Sequence, residues 1–206
     1  LGAAPFVALD GTVDAVPLEV VTRLWPAELA ATVRTWLRTN LPTGTLRRCR
    51  VQLAMTGDAE AGAHGPEDAA GPRRQKDART PPPAYDIACD FDGVTAEYLR
   101  PLDPIRAAAG SARLTPERLQ VNVRTGEVGT CRVDGGTLAM DLTVDPPRAT
   151  ITADVNGTTA GVLALVDRPP LELVTPPGVV PADAGGESRV QVKLGLPIAS
   201  NVAAAA

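Results

Sequence analysis

Two aspartates separated by one residue, Asp90 and Asp92, are the most suggestive chemical groups in the chain. They lie in the segment Cys-Asp-Phe-Asp-Gly-Val-Thr at 89–95, where one carboxylate could act as a nucleophile and the other as an acid/base. Polar and apolar residues alternate through this segment, and Asp86 continues the polar positions upstream. This period of two predicts a two-faced strand whose aspartates line the solvated face.

The same segment resembles the first motif of haloacid dehalogenase-type phosphatases. Those enzymes place the motif after a buried parallel strand, which has a continuous apolar run, but Asp86 interrupts the run here. They also need a downstream lysine followed by an acidic pair for magnesium, and the only lysine after residue 95 is Lys193. The phosphatase is therefore the third and weakest of three functional hypotheses.

The histidine and cysteine content argues against most other active sites. His64 is the only histidine and lies in an Ala/Gly/Pro-rich stretch, so any Ser-His-Asp or Cys-His arrangement would have to use it. Cys49, Cys89 and Cys131 are far apart without a CxxC pair, and their odd number fits no complete disulfide framework. We expect them to be small apolar residues on the inner face of strands. The sequence thus predicts no catalytic residue, no metal site and no cofactor, and a protein that is not an enzyme.

The composition is typical of many short elements joined by turns. Hydrophobic residues make up 44% of the 206 residues but aromatic ones only 3%, and 19 glycines and 20 prolines interrupt the chain. A net charge of −4 without a basic stripe argues against nucleic acid as a partner. The longest uncharged apolar run, 158–166, is too short to cross a bilayer. Because the chain starts at Leu1 and ends in four alanines, we interpret it as a piece of a longer protein whose membrane anchor lies elsewhere.

Alternating polarity predicts most of the secondary structure. Six stretches with a period of two are expected to be half-buried strands, at 49–55, 87–91, 119–123, 138–144, 149–155 and 190–196. Helical spacing of apolar residues predicts helices at about 26–39 and 158–167. Turn signals at 115–117, 134–136 and 145–147 are expected to join neighbouring strands as antiparallel hairpins, and Asn156-Gly157 is interpreted as a further turn.

Residues 58–84 interrupt this pattern. They are rich in Ala, Gly, Pro and charge and have no period, which predicts a disordered surface insertion between two strands. We therefore predict a single domain over 1–206, interrupted at 58–84. Its fold class is mostly β, an antiparallel curved meander sheet with two short helices.

The apolar positions of the predicted strands should all point to one side of the sheet. That side must be buried against another layer, a helix or a ligand, and a scarcity of bulky aromatics leaves room along it. We identify it as the candidate lipid-binding face, represented by Val51, Leu53, Phe91, Val121, Leu142, Ile151 and Val192. Alternation alone does not say whether this face is an open groove or a core sealed by the two helices.

Several blocks of sequence resemble the AsmA-like family of bacterial envelope proteins, in particular its YhdP and TamB branches. One block runs over 16–46 and contains Trp25-Pro26, then Trp36 and Gly44 before the first predicted strand. Similar blocks follow at 91–101, 110–114 and 161–171, so the resemblance covers most of the chain outside 58–84. The long charged insertion departs from the family pattern, so the resemblance leaves open whether the groove continues at that edge.

The resemblance implies a periplasmic protein anchored in the inner membrane, built as a folded-over sheet with a hydrophobic groove. The implied function is phospholipid transport to the outer membrane and envelope integrity, with phospholipid or another acyl-chain lipid and the adjoining segments of the same chain as partners. The alternative is a structural protein of outer-membrane assembly that has a closed β core and carries no lipid. No catalytic residue is implied.

Overall fold

Eight strands form a single sheet in the computed structural model, which describes residues 6–25, 31–56, 84–98, 100–169, 171–172 and 180–197. The strands are β1 (Phe6–Pro17), β2 (Thr43–Thr56), β3 (Ala84–Ala96), β4 (Ile105–Leu114), β5 (Arg118–Val128), β6 (Cys131–Asp141), β7 (Arg148–Thr158) and β8 (Glu187–Pro197). The helices are α1 (Leu18–Leu24), α2 (Ala31–Asn40) and α3 (Thr159–Val166), and a 3₁₀ turn spans Pro181–Asp183.

The sheet is a meander. Its strands follow one another in chain order from β1 to β8, and every neighbouring pair is antiparallel. It curls without closing, so β1 and β8 are its two edges. This confirms the predicted fold class of a mostly β, antiparallel curved meander.

Two strands were missing from the sequence-based prediction, which had six. β1 has the required alternation, but Gly11 interrupts its apolar positions and Ala8 its polar ones, which weakens the signal. β4 contains four alanines and a glycine, residue types depleted in strands. The strand forms because it lies between β3 and β5, where Gly110 pairs with Phe91 on one side and with Val123 on the other. A Cβ at residue 110 would lie 2.5 Å from the Phe91 ring, so only glycine fits there.

Two predicted turns were wrong. The Asp134–Gly136 stretch lies inside β6, where a register shift between Val133 and Gly135 marks a β-bulge. Asn156 and Gly157 remain in β7 and pair with Arg189 and Ser188 of β8. Glycine forms part of the bulge in β6, and in β7 it lets Cys131 of the neighbouring strand approach closely. The turns at 115–117 and 145–147 do join consecutive strands, as predicted.

The helices agree with the prediction in two cases out of three. α2 covers the described part of the helix predicted at 26–39, whose residues 26–30 lie outside the described residues. α3 begins one residue after the predicted start, and the Thr158 hydroxyl caps it by accepting a hydrogen bond of 3.1 Å from the Gly161 N–H. α1 was not predicted, because seven residues provide barely two turns of helical spacing.

The core consists of three clusters on one side of the sheet, which we call the inner face, opposite the polar outer face. One cluster lies under α1 around Leu18, Phe91 and Val94. The second lies under α2 and contains Met140, which is only 1% exposed. The third packs α3 against the ends of β5 to β7. The helices therefore cover the part of the inner face that holds these three clusters.

The predicted insertion at 58–84 falls outside the described residues, except for Ala84, which begins β3. His64 is among those undescribed residues. In the described part of the chain, no helix has the length and hydropathy needed to cross a membrane.

Candidate functional site

The strand register brings apolar residues from distant parts of the chain into continuous rows. One row crosses the sheet where Ile87 pairs with Leu114, Leu114 with Leu119, and Leu119 with Met140. Paired residues of antiparallel strands point to the same face, so each row is a strip of apolar surface perpendicular to the strands. The rows together make up the inner face.

A cavity of about 260 Å³ lies between the inner face and the helices, partly open to solvent. Small residues of neighbouring strands, including Ala108, Ala112, Gly136 and Ala153, form part of its floor. Side chains of α1, α2 and α3 form part of its cover, and the lining is almost entirely apolar. The low volume of alanine and glycine explains why the helices do not fill this space.

Four of the seven predicted site residues line the cavity, namely Phe91, Val121, Ile151 and Val192. Leu142 follows the end of β6 and packs against the cluster around Met140. Val51 pairs with Ile87 and Leu53 with Tyr85, so both side chains point to the inner face. Neither lines the cavity. The predicted residues thus share one face, while three of them lie beside the cavity.

The prediction missed part of the cover of the cavity. Trp36 and Leu37 belong to the apolar stripe recognised on the predicted helix, but Tyr98 and Leu102 lie in the connection between β3 and β4, where the sequence has no periodic signal. Burial raises the pKa of the Tyr98 phenol above its ordinary value, and the Asp103 carboxylate raises this pKa further. The phenol therefore remains neutral, as suits a group in an apolar wall.

The apolar surface continues past the cavity toward the β1 edge, where the described helices leave it exposed. Val7, Leu9 and Val13 are 59%, 53% and 42% exposed. Leu9 pairs with Leu53, so this exposed strip extends the inner face. Exposed aliphatic side chains along an edge strand are typical of surfaces that pack against another apolar group.

The outer face of the same strands is held by exposed ion pairs. Arg113 donates hydrogen bonds to both carboxylate oxygens of Asp86, at 2.9 Å and 2.5 Å. Arg48 Nε donates to Asp90 at 2.8 Å, and Arg47 Nε lies 3.7 Å from a carboxylate oxygen of Asp92. The Asp86–Arg113 hydrogen bond lowers the pKa of the Asp86 carboxyl below its ordinary value.

These contacts bear on the phosphatase motif. The segment 89–95 runs in β3, whose neighbours are antiparallel, instead of ending a buried parallel strand. Asp90 forms an ion pair with Arg48, and Asp92 forms one with Arg47. Within the described ranges no group of three or more His, Cys, Asp or Glu side chains is arranged to hold a metal ion.

The cysteines depart from the sequence-based expectation. Cys49 and Cys89 form a disulfide between β2 and β3, although three cysteines were expected to remain free. A register shift between Arg47 and Arg50 and a left-handed φ of 47° at Arg48 mark a bulge, and this bulge sets Cys49 beside Cys89. Cys131 is free and buried as expected, and burial raises the pKa of its thiol.

No protein-family model matches the chain, and neither a curated protein nor a solved structure shows significant similarity to it.

Proposed function

We propose that this chain is a segment of an AsmA-like envelope protein that binds acyl chains of phospholipid along the inner face of its sheet. The partly open apolar cavity lined by Phe91, Val121, Ile151 and Val192 is the observation that carries the proposal. The sequence blocks that resemble the family supply the setting. That setting is a periplasmic protein with its inner-membrane anchor outside this chain and with adjoining segments that continue the groove.

The physical basis is the hydrophobic effect. Each methylene group removed from water contributes about 0.8 kcal/mol, so shielding five methylenes contributes about 4 kcal/mol without any directed bond. A wall with almost no polar atoms suits an acyl chain, which offers no hydrogen-bonding group, better than it suits a polar substrate. The exposed strip of Val7, Leu9 and Val13 extends this wall toward the edge of the sheet.

A structural envelope protein without lipid cargo is the second candidate, and one observation favours it. The cavity of about 260 Å³ is slightly smaller than typical ligand pockets, which begin at about 300 Å³. Three clusters of buried residues already attach the helices to the sheet. On this view the cavity is a packing defect in a closed core that supports outer-membrane assembly.

The decisive experiment measures phospholipid that co-purifies with the chain, by mass spectrometry of an organic extract. Two variants at adjacent positions provide a matched comparison: Ile151→Asp on the cavity wall and Thr150→Asp at an exposed outer-face position outside the cavity lining. Circular dichroism first establishes that each variant is folded. We expect the folded Ile151→Asp variant to lose bound lipid, because an unpaired charge in an apolar site costs several kcal/mol. The Thr150→Asp variant should retain it.

Unfolding of the Ile151→Asp variant together with lipid-free wild-type protein would favour the closed core. Equal lipid content in wild type and both variants would show that any bound lipid lies elsewhere. A milder variant, Ile151→Ala, covers the case in which the aspartate variant does not fold. It should bind a longer or bulkier acyl chain if the cavity is the site.

A further inference from the structure

Two arginines border the cavity-lining stripe of α2. Val33 and Leu37 line the cavity, and Arg34 and Arg38 follow them directly in the sequence of the helix. Successive residues of an α-helix are about 100° apart around its axis, so each arginine lies beside a cavity-lining residue. Residues four apart lie on the same flank of a helix, one turn from each other. One flank of α2 therefore places two guanidinium groups next to an apolar wall.

Arg34 has a buried hydrogen-bond donor without a partner. The residue as a whole is half-buried, but its Nε atom is shielded from solvent and donates to no acceptor. Among the side-chain nitrogen and oxygen atoms of the described residues, this is the only one found in that condition. A donor that loses water without gaining an acceptor costs free energy, and the cost is larger for a charged group. An anion at this place would remove that cost.

The charges on this flank are not neutralised within the described chain. The ten residues of α2 include no Asp or Glu, and neither Arg34 nor Arg38 takes part in an ion pair with another described residue. Glu97 reaches the end of α2, where its backbone N–H donates to the Asn40 carbonyl at 2.8 Å, but its carboxylate accepts a hydrogen bond of 2.7 Å from Arg100. Like charges four residues apart on a helix repel each other. This arrangement is unfavourable unless an anion from outside binds there.

We propose that Arg34 and Arg38 bind the phosphate group of a lipid whose acyl chain occupies the cavity. The inference rests on the proposed function and adds to it the chemical class of the headgroup. The charged oxygens of a phosphate are strong acceptors, so one of them can accept the unused hydrogen bond of the Arg34 Nε while the group as a whole offsets the repulsion between the two arginines. The apolar wall and the arginine flank of α2 thus match the two parts of an anionic amphiphile.

Two water-soluble lipids test the headgroup preference. Dihexanoylphosphatidate and dihexanoylglycerol have the same acyl chains and differ in the phosphate. Both are used below the concentration at which they aggregate, so no membrane surface is present. We expect isothermal titration calorimetry with the complete 206-residue chain to give the phosphatidate an affinity about tenfold higher or more. Equal affinities for the two lipids would overturn the proposal.

Two matched substitutions locate the phosphate site. We expect Arg34→Gln to weaken binding of the phosphatidate about tenfold and to leave binding of the diacylglycerol unchanged. Arg132→Gln is the control with the same change of charge, because Arg132 is exposed on the outer face between the buried residues Cys131 and Val133. It should bind both lipids like the wild type. Equal weakening in the two variants would show an effect of net charge alone and would overturn the assignment to α2.

A second substitution on the same flank covers a failure of Arg34→Gln to fold, which circular dichroism would reveal. Arg38 is exposed, so Arg38→Gln should fold and should also lower the preference for the phosphatidate. An unchanged preference in a folded Arg38→Gln variant would contradict the joint role of the two arginines.

The remaining outcomes separate this inference from the proposed function. If neither lipid binds, the acyl-chain site is overturned and the phosphate site with it. If both bind equally well, acyl-chain binding stands and only the phosphate site is overturned. Glycerol 3-phosphate, which has no acyl chain, should bind about tenfold more weakly than the phosphatidate or not at all. An affinity equal to that of the phosphatidate would show that the arginines bind free phosphate compounds and no lipid headgroup.

Discussion

The inner and outer faces of the sheet are built from the same strands but held in different ways. On the inner face, Met140 is 1% exposed and packs in a cluster that joins four strands to α2. One residue away on the outer face, Ala139 and Asp141 are exposed. The outer face relies on cross-strand polar pairs such as Arg48 with Asp90, whose side chains are 74% and 26% exposed. Neighbours in sequence therefore contribute very differently to stability.

The difference shows where the stability of this fold lies. Burial of an aliphatic or methionine side chain stabilises by about 1.5–3 kcal/mol, whereas an ion pair as exposed as Arg48–Asp90 contributes about 0–1 kcal/mol. The ion pairs of the outer face thus favour one strand register and keep that face soluble. Burial on the inner face supplies most of the free energy of folding.

The largest effect should come from a charge at Met140. We expect Met140→Asp to lower the free energy of unfolding by several kcal/mol, enough to abolish a cooperative transition, because the charge would be buried without a partner. Ala139→Asp, on the outer face of the same strand, should change it by less than about 0.5 kcal/mol. Urea denaturation followed by circular dichroism checks both. Similar losses in the two variants would contradict the assignment of β6 to two distinct faces.

The disulfide joins strands on the weakly covered side of the sheet, near β1. Replacing Cys49 and Cys89 together by alanine should lower the free energy of unfolding by about 2–4 kcal/mol, because the bond closes a long loop with a sequence separation of 40. Denaturation of the double variant, compared with the wild type under non-reducing conditions, measures this loss. The Cys131→Ala variant is the control, since Cys131 is free. An unchanged midpoint for the double variant would mean that the cysteines are reduced in solution.

The composition of residues 58–83 predicts a segment that contributes to neither face of the sheet. We predict that a short Gly/Ser loop can replace 58–83, with a change in the free energy of unfolding of about 1 kcal/mol, because the entropy of loop closure depends only weakly on length. Thermal denaturation and sedimentation velocity of the shortened protein check this prediction. Loss of cooperative unfolding would instead show that the segment packs on the sheet.

The smallest effect should come from the outer-face ion pair between Asp86 and Arg113. Arg113 lowers the pKa of the folded Asp86 carboxyl, so its contribution to stability is present above the unfolded pKa of about 3.9 and is lost as the pH falls through the lower folded value. The Asp86→Asn variant should therefore be slightly less stable than the wild type at neutral pH, and the two should converge in acid. Denaturation midpoints between pH 2 and 7 measure the difference. A gap that widens in acid would contradict the direction of the shift.

Sequence patterns predicted most strands in which aliphatic residues alternate with polar ones, but they missed the alanine-rich β4 and also β1, where Val7, Leu9 and Val13 alternate in the same way. β7 alternates Ala149, Ile151, Ala153 and Val155 with polar residues, and it was recognised. β4 has four alanines among its ten residues, and its place between β3 and β5 fixes its conformation. The wrong turn at Asp134–Gly136 has a different cause. A bulge inside a strand and a turn between strands use the same residue types.

Part of the candidate site could be predicted from the sequence, and part of it depends on tertiary contacts. Phe91, Val121, Ile151 and Val192 could be assigned to one face because side chains alternate across a strand, and this rule needs no knowledge of distant residues. The cover provided by Tyr98 and Leu102, the disulfide at the bulge in β2 and the uncovered strip on β1 depend on which elements meet across the sheet. A period of two encodes the direction of a side chain along its own strand. What lies opposite that side chain is set by packing between segments far apart in the chain, and only the tertiary structure decides it.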